Sequence, residues 1–230
     1  MKLQNVKTSN KQNHIDIIKG LVGVEEFKIE IKSMETLCKN IKAYNLSDII
    51  LPNYLWITQR GGGLTTLIHA FAEFLDSTGV VEFCGKSKFI EFKPEYTPPE
   101  VCFNEFARLN NLIFEATGYN RYYKGIICIH VDEWLANVRE SHFTGLLDFI
   151  NTNKNKWLAV FNTHNGSVNA VESLERAISK HMNIQTLKLR FPDSHELVEI
   201  VEKGMMFEKG FTFNEGARKI LHETIDEISK

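Results

Sequence analysis

Cysteines and long apolar runs are both scarce in this sequence. Its four cysteines, Cys38, Cys84, Cys102 and Cys128, are scattered, and no two of them form a C-x-x-C pair. Their spacing predicts neither a zinc site nor a disulfide framework, and it indicates buried thiols in a reducing cytosol. No run approaches the roughly 20 residues of a membrane span, and the polar N-terminus lacks the apolar core of a signal peptide. We therefore predict a cytoplasmic protein that makes no contact with a membrane.

Neither sign of charge is in excess. The formal net charge is −2 at pH 7, so no electrostatic argument favours binding to nucleic acid or to an anionic membrane. The composition, with 43% hydrophobic and 24% charged residues, is ordinary for a globular protein. The length of 230 residues suits one large domain, or one domain with a small appendage.

The most informative stretch runs from Tyr54 to Leu67 and reads YLWITQRGGGLTTL. Its first four residues are an apolar, β-prone run, and three consecutive glycines then exclude a regular element. From Leu67 onward the apolar residues have helical spacing. A strand that turns through glycines into a helix forms a phosphate cradle, because backbone N–H groups and the helix N-terminus both favour an anion.

This loop departs twice from the phosphate-binding consensus G-x-x-x-x-G-K-[ST]. Thr58 stands where the first glycine belongs and Leu64 where the lysine belongs, whereas Thr65 keeps the hydroxyl that would meet Mg²⁺. A charge-assisted contact to phosphate contributes roughly 1.5–3 kcal/mol. Its loss would weaken nucleotide binding by roughly ten- to a hundred-fold. On this motif alone, a glycine-rich turn without a ligand remains an open alternative.

Two further apolar runs predict buried strands that end in polar residues. The run from Gly125 is followed by Asp132 and Glu133, and the run from Trp157 is followed by Asn162. Continuous apolar runs are typical of central parallel strands, and open α/β sheets bind ligands at the carboxyl ends of such strands. The alternative for the first run is a strand that ends at a solvated Asp-Glu turn. Inside that run, a hydrogen-bonded core or edge histidine is the favoured interpretation of His130.

The remaining patterns complete an alternation of strands and helices, which predicts a parallel sheet covered on both faces. Further strands are predicted at Val80–Phe83, Phe89–Phe92 and Ile184–Phe191, the last nearer the sheet edge. Further helices are predicted at 14–42, with breaks at Gly20 and Gly23, at Glu100–Thr117 and around Phe143–Ile150. Three more helices are predicted from their N-caps, which are Asn169 with Glu172, Asp193 with Glu196, and Asn214.

With these motifs in this order, the chain from about His14 to its end resembles an AAA+ ATPase module. Within that superfamily it is most similar to the red-type Rubisco activase and stage V sporulation group. The matching segments are Gly20–Lys28 beside the adenine, Thr58–Thr66 as Walker A, Ile126–Glu133 as Walker B, Asn162–Thr163 as sensor 1, and Phe191–Leu221 as the opening of a helical lid.

The resemblance implies an α/β fold, with a P-loop NTPase-type three-layer parallel sheet and a small C-terminal helical lid. It implies a flexible segment at 1–13, an α/β domain at 14–191 and a lid at 192–230. ATP or ADP would be bound with Mg²⁺. The nucleotide would contact Gly61, Gly62, Gly63, Leu64, Thr65, Thr66 and Val22. Thr65 and Asp132 would hold the metal, while Glu133 and Asn162 would be catalytic.

Several parts of that family's hydrolytic site are replaced or not found. Lys180 stands near the position of the arginine finger, and lysine lacks the planar fork of arginine. Arg218 is not assigned to sensor 2, and no aromatic-glycine pore loop is convincing. Tyr119, Tyr122 and Tyr123 are the nearest candidates for that loop.

We therefore predict a nucleotide-binding module with weak or absent ATP hydrolysis, which serves as a regulatory or structural subunit. Its partner would be a second copy or an active AAA+ subunit, with a protein substrate possible and nucleic acid disfavoured. The alternative is an active ATPase that remodels a protein partner, in which Arg60 replaces the missing P-loop lysine. A DNA-loading ATPase is a third hypothesis, which the near-neutral charge counts against.

Overall fold

Five strands and six helices make up the main part of the chain that the structure describes. The computed structural model describes residues 18–46, 50–81, 83–84, 87–93, 124–136, 141–154, 156–164 and 166–228. The strands are β1 (Asn53–Thr58), β2 (Phe89–Phe92), β3 (Gly125–His130), β4 (Trp157–His164) and β5 (Ile184–Lys188). The helices are α1 (Glu25–Ala43), α2 (Leu64–Thr78), α3 (Ser141–Thr152), α4 (Val168–Ser179), α5 (Ser194–Lys209) and α6 (Glu215–Ile228). The predicted flexible segment 1–13, the predicted helix Glu100–Thr117 and the candidate loop tyrosines lie outside the described residues.

The strands form one sheet in the order β2-β3-β4-β1-β5, and every neighbouring pair is parallel. The interior strands β1, β3 and β4 are buried along nearly their whole length. Their continuous apolar sequences suit this position, because both faces of an interior parallel strand are covered by helices. β5 lies at one edge, as its alternating sequence predicts, but it ends at Lys188 rather than Phe191.

Helices cover both faces of the sheet, so the predicted three-layer architecture is confirmed. α1 and α2 pack on one face, against a core that includes Tyr54 and Trp56 of β1. α3 and α4 pack on the other face, against a core that includes Leu55 of the same strand. Successive side chains of a strand point to opposite faces, so one apolar strand contributes to both cores.

An aromatic cluster joins α1 and α2 to the interior strand β1. The Phe71 ring lies 5.4 Å from the Tyr54 ring and 5.8 Å from the Trp56 ring, measured between centroids. Phe27 of α1 packs edge-on against Trp56 at 5.7 Å. All four side chains are fully buried. The cluster therefore anchors α2, the helix that follows the glycine loop, to the sheet.

Helix starts follow the predicted caps in two cases out of three. Asp193 and Glu196 form a complete capping box at α5, and Asn214 accepts a hydrogen bond from the Ala217 N–H at α6. The predicted cap at Asn169 is wrong. Ser167 caps α4 instead, accepting from the Ala170 N–H at 3.3 Å, because the helix begins two residues earlier than the apolar spacing indicated.

The segment Val80–Phe83 was predicted as a strand, and this prediction is wrong for the residues described. Gly79 ends α2 in a left-handed conformation, and Val80 and Val81 follow outside any strand. Only an isolated bridge forms here, between Cys84 and Lys124. The apolar residues pack against the core beside α1 and α2 instead of pairing with a neighbour in the sheet.

The C-terminal helices α5 and α6 contact each other more than they contact the sheet domain. Arg218 of α6 forms an ion pair with Glu202 of α5. Ile200 and Val201 have the spacing of inward-facing residues, but both are more than a third exposed, and Val198 is the buried residue of that stretch. Further along α5, Met205 and Met206 also remain at the surface. In the described part of the chain, no helix combines the length and apolar character needed to cross a membrane.

Candidate functional site

The carboxyl ends of three neighbouring strands meet at one edge of the sheet. Thr58 at the end of β1 is in register with His164 at the end of β4, and His130 of β3 is in register with Asn162 of β4. Asp132 begins a 3-10 turn directly after β3. Ligands of open α/β sheets bind outside this edge. The predicted residues Asp132 and Asn162 are therefore brought together, beside two histidines that the sequence did not assign to the site.

The glycine loop turns the chain from β1 into α2 above this edge. Gly61 and Gly63 have φ angles of 78° and 76°, in the left-handed region that favours glycine. A Cβ on Gly62 would lie 2.9 Å from the Gln59 carbonyl oxygen, so this position also requires glycine. Gly63 is the N-cap of α2 and has no side chain to accept from the first N–H groups. Those N–H groups remain available to an anion.

A cavity of about 710 Å³ lies between the loop and the strand ends. Its loop side is lined by the predicted residues Gly61, Gly62, Gly63, Leu64, Thr65 and Thr66. Its opposite side is lined by Asp132 and the exposed Glu133 from the turn after β3. Two cations line it as well, Arg60 of the loop and Lys93 after β2. The sequence analysis considered Arg60 but missed Lys93.

A second cavity, of about 240 Å³, adjoins the other side of the glycine loop. Its lining is mainly apolar and includes Val22, Phe191, Pro192 and Ile200, together with the three glycines. The predicted adenine-side residue Val22 thus lies next to the loop. Ile200, which faces neither core, contributes to this cavity instead.

The Asp132 carboxylate accepts three hydrogen bonds. Oδ1 accepts from the Thr163 hydroxyl at 2.9 Å and from the His164 backbone N–H at 2.6 Å, and Oδ2 lies 2.6 Å from His164 Nδ1. Burial alone would raise the pKa of Asp132, but the bonds from His164 and Thr163 outweigh it and lower that pKa below its ordinary 3.8. Asp132 is therefore an anion held in place by β4.

Asn162 and His130 continue a chain of polar contacts through the site. The Thr58 hydroxyl donates to Asn162 Oδ1 at 2.9 Å, and Asn162 Nδ2 lies 3.5 Å from His130 Nδ1. His130 Nε2 lies 2.8 Å from Glu91 Oε1, so the prediction of a hydrogen-bonded histidine is confirmed. Burial lowers the pKa of His130 below its ordinary 6.5, although the bond to Glu91 acts in the opposite direction. Thr58, at the position of the first consensus glycine, thus has a structural partner.

A solved structure with a similar fold is that of PCH-2 from C. elegans, an AAA+ ATPase. The TM-score is 0.56 at 14% sequence identity, and the match covers 94% of this chain and 62% of PCH-2. This chain therefore shares its fold with PCH-2. At this identity the similarity establishes the fold alone, and the chain spans 62% of the length of PCH-2. The sequence matches no protein-family profile and no curated protein.

Among the described residues, neither Lys180 nor Arg218 lines the cavity beside the glycine loop. Lys180 is exposed at the C-terminus of α4. Arg218, which was not assigned to sensor 2, pairs with Glu202. The similarity to the Rubisco activase group and the domain boundary at 191–192 stay predictions.

Four site residues were not assigned to the site from the sequence, namely Glu91, Lys93, His130 and His164. A signal existed for two of them. Glu91 alternates with buried neighbours in β2, and His164 lies two residues beyond Asn162 in β4, on the same face of the strand. Only the strand order shows that these positions adjoin Asp132.

The lowered pKa of His130 predicts that acid destabilises the protein. The unfolded chain takes up a proton near pKa 6.5, whereas the folded imidazole takes it up only at lower pH. Unfolding therefore binds protons around the ordinary pKa of 6.5, and the free energy of unfolding falls as the pH drops through this range. The fall should be shallower in His130→Gln, as measured by urea titrations at several pH values. His181→Gln, which removes a surface imidazole paired with Asp148, is the control. Parallel pH profiles for the His130→Gln variant and the unmodified protein would contradict the prediction.

Proposed function

We propose that this chain is an AAA+-like nucleotide-binding module with weak or absent ATP hydrolysis, acting as a regulatory or structural subunit of an assembly. The observation that carries the proposal is the combination of an uncapped glycine cradle with Leu64 at the position of the phosphate-binding cation. The cradle retains the backbone donors that bind phosphate. The side chain that would balance charge on the transferring phosphoryl group is apolar.

Nucleotide would lie across the two cavities. The phosphates would contact the N–H groups from Gly61 to Thr66, and the base would enter the apolar cavity beside Val22. Thr65 and Asp132 line the same cavity, and their oxygens are the ligand type that Mg²⁺ prefers. When bound, that ion would neutralise phosphate charge.

The contacts of Asn162 support low turnover. The Thr58 hydroxyl occupies Asn162 Oδ1, and Asn162 is fully buried. An amide held in this way is poorly placed to orient a water molecule or a phosphate. Glu133, the predicted residue for activating water, lies exposed on the cavity wall. Binding is thus better supported than catalysis.

The proposal for the partner of this chain rests on the fold class alone. AAA+ modules usually assemble, so self-association or an active AAA+ partner is proposed, with a protein substrate as the target of the assembly. The net charge of −2 disfavours nucleic acid. A cytoplasmic location remains the expectation from the sequence.

Calorimetric titration of Mg-ATP and of ADP, with turnover assayed on the same sample, tests the proposal. Saturable binding with no turnover above background would support it. No binding at about millimolar nucleotide, which corresponds to a binding free energy weaker than about −4 kcal/mol, would overturn the nucleotide-binding part. Robust turnover would favour the alternative of an active remodelling ATPase.

Arg60 gives that alternative a specific test. Its side chain lines the cavity that Asp132 and Glu133 also line, so it is placed to meet a phosphate from another backbone position. If Arg60 replaces the missing lysine, Arg60→Ala should lower turnover by about a hundred-fold or more, because such contacts stabilise transition-state charge. Lys93→Ala removes the other cation of the cavity and is the matched control. Full turnover in Arg60→Ala would exclude this role.

A further inference from the structure

Two histidines and an aspartate converge at the ends of β3 and β4. His130, Asp132 and His164 each offer one ligand atom, and these atoms all lie within 4.8 Å of one another. We propose that these three residues bind a divalent transition-metal ion of the first row, without any nucleotide. Mg²⁺ prefers oxygen ligands, whereas two imidazoles and a carboxylate suit softer ions such as Zn²⁺ or Co²⁺.

Carboxylates already orient both imidazole rings. Glu91 Oε1 lies 2.8 Å from His130 Nε2, and Asp132 Oδ2 lies 2.6 Å from His164 Nδ1. A histidine that binds a metal through one ring nitrogen usually donates the other ring N–H to a carboxylate or carbonyl. This arrangement assigns His130 Nδ1 as one ligand atom. At His164 the ion would replace the proton between Nδ1 and Asp132 Oδ2, so that both of these atoms become ligands. His130 Nδ1 has only a long contact of 3.5 Å to Asn162, which a metal would readily replace.

Asp132 can bind the ion without losing its attachment to β4. Oδ1 would keep the hydrogen bonds from the Thr163 hydroxyl and the His164 N–H, while Oδ2 would exchange its contact with His164 Nδ1 for the ion. A carboxylate has about four lone-pair sites, so these bonds are compatible. Metal–ligand bonds of about 2.1 Å place ligand atoms roughly 3–4 Å apart. Side-chain adjustments of about an ångström would therefore close the cluster around an ion.

The cluster is accessible from the large cavity. All three ligands and Glu91 line that cavity, and the His164 and Asp132 side chains are 22% and 36% exposed. A two-histidine, one-carboxylate set leaves coordination positions open. Here those positions would be filled by water, or by an anion held at the glycine loop on the facing wall.

The test is calorimetric titration of Zn²⁺ into the full chain without nucleotide, with Co²⁺ absorption spectra on the same variants. One ion per chain is expected, with a visible d–d spectrum. His164→Ala and His130→Ala should each weaken binding by at least about ten-fold, and Glu91→Ala by about 10–100-fold, because its carboxylate positions His130. Urea titrations would establish that each variant is folded, and the Co²⁺ spectrum reports ligand identity independently of affinity.

Two controls separate this site from other histidines. His181→Ala removes an imidazole that also contacts one aspartate, Asp148 at 2.8 Å, and should leave binding unchanged. His195 and His222 lie with ring centroids 4.6 Å apart, so the double variant His195→Ala with His222→Ala tests a rival pair. Loss of binding only in that double variant, or a thiolate charge-transfer band in the Co²⁺ spectrum, would overturn the proposal. Unchanged Zn²⁺ affinity in both His130→Ala and His164→Ala would also overturn it. Because nucleotide is omitted, this result is independent of the nucleotide titration.

Discussion

Replacing Leu64 with lysine is expected to tighten the binding of Mg-ATP by about ten- to a hundred-fold. Leu64 is the first residue of α2 and lines the cavity opposite Asp132. A lysine here would direct an ammonium group at phosphates held by the N–H groups of the loop. The change leaves the left-handed glycines at 61 and 63 untouched. Calorimetric titration of both proteins under the same salt conditions measures the gain.

Leu64→Gln is the matched control, since it adds a polar side chain of similar length without the charge. It should recover little of the affinity, because the predicted gain comes from the ion–phosphate contact. A smaller increase in turnover than in affinity is expected for the lysine variant, since Asp132 and Asn162 keep their present hydrogen bonds. If lysine brings no gain in affinity, the glycine loop does not bind phosphate and the proposed function is lost.

Replacing Phe71 with alanine is expected to lower the free energy of unfolding by about 3–5 kcal/mol. Phe71 is 1% exposed and contacts the rings of Phe27, Tyr54 and Trp56. Truncation removes apolar burial and leaves a cavity between α2 and β1 that rigid neighbours cannot fill. Urea-induced unfolding, followed by tryptophan fluorescence, measures the loss.

Ile29→Ala provides the comparison for that measurement. Ile29 lies on α1 and is 69% exposed, so its truncation should change the free energy of unfolding by less than about 0.5 kcal/mol. A loss in Phe71→Ala no larger than in Ile29→Ala would show that the aromatic cluster does not anchor α2. The cluster also anchors the helix that follows the glycine loop. The nucleotide affinity of Phe71→Ala should therefore be compared with that of the unmodified protein under conditions in which the variant is fully folded.

Local pattern was sufficient for the elements with strong periodicity. The helical spacing from Leu67 predicted the buried face of α2, and Leu67, Ile68, Phe71, Phe74 and Leu75 are all buried. The apolar runs at 125 and 157 predicted interior strands, which β3 and β4 are. Period and length suffice in these cases because burial on one or both faces constrains every residue of the element.

The sequence pattern gave wrong predictions for segments that fit more than one local structure. Val80–Phe83 has the composition of a strand, but its apolar residues pack beside α1 and α2, outside the sheet. Ser167 and Asn169 both precede apolar helical positions, and the start of α4 decided which of them is the cap. Ile200 and Val201 have inward spacing, but both are more than a third exposed, and Ile200 lines the cavity beside the glycine loop. For Val80–Phe83 and for Ile200, the contacts that decide the outcome include residues distant in sequence.

The sequence by itself determined the alternation of strands and helices, the glycine loop with its missing lysine, and the acidic end of β3. These are local properties, set by residue type and by periods of 2 and 3.6. Only the tertiary structure decided that β4 lies between β3 and β1, and that His164 therefore meets Asp132 while Asn162 meets Thr58. Period fixes the face of a strand but not its neighbour, because strand order depends on how distant apolar surfaces are buried together.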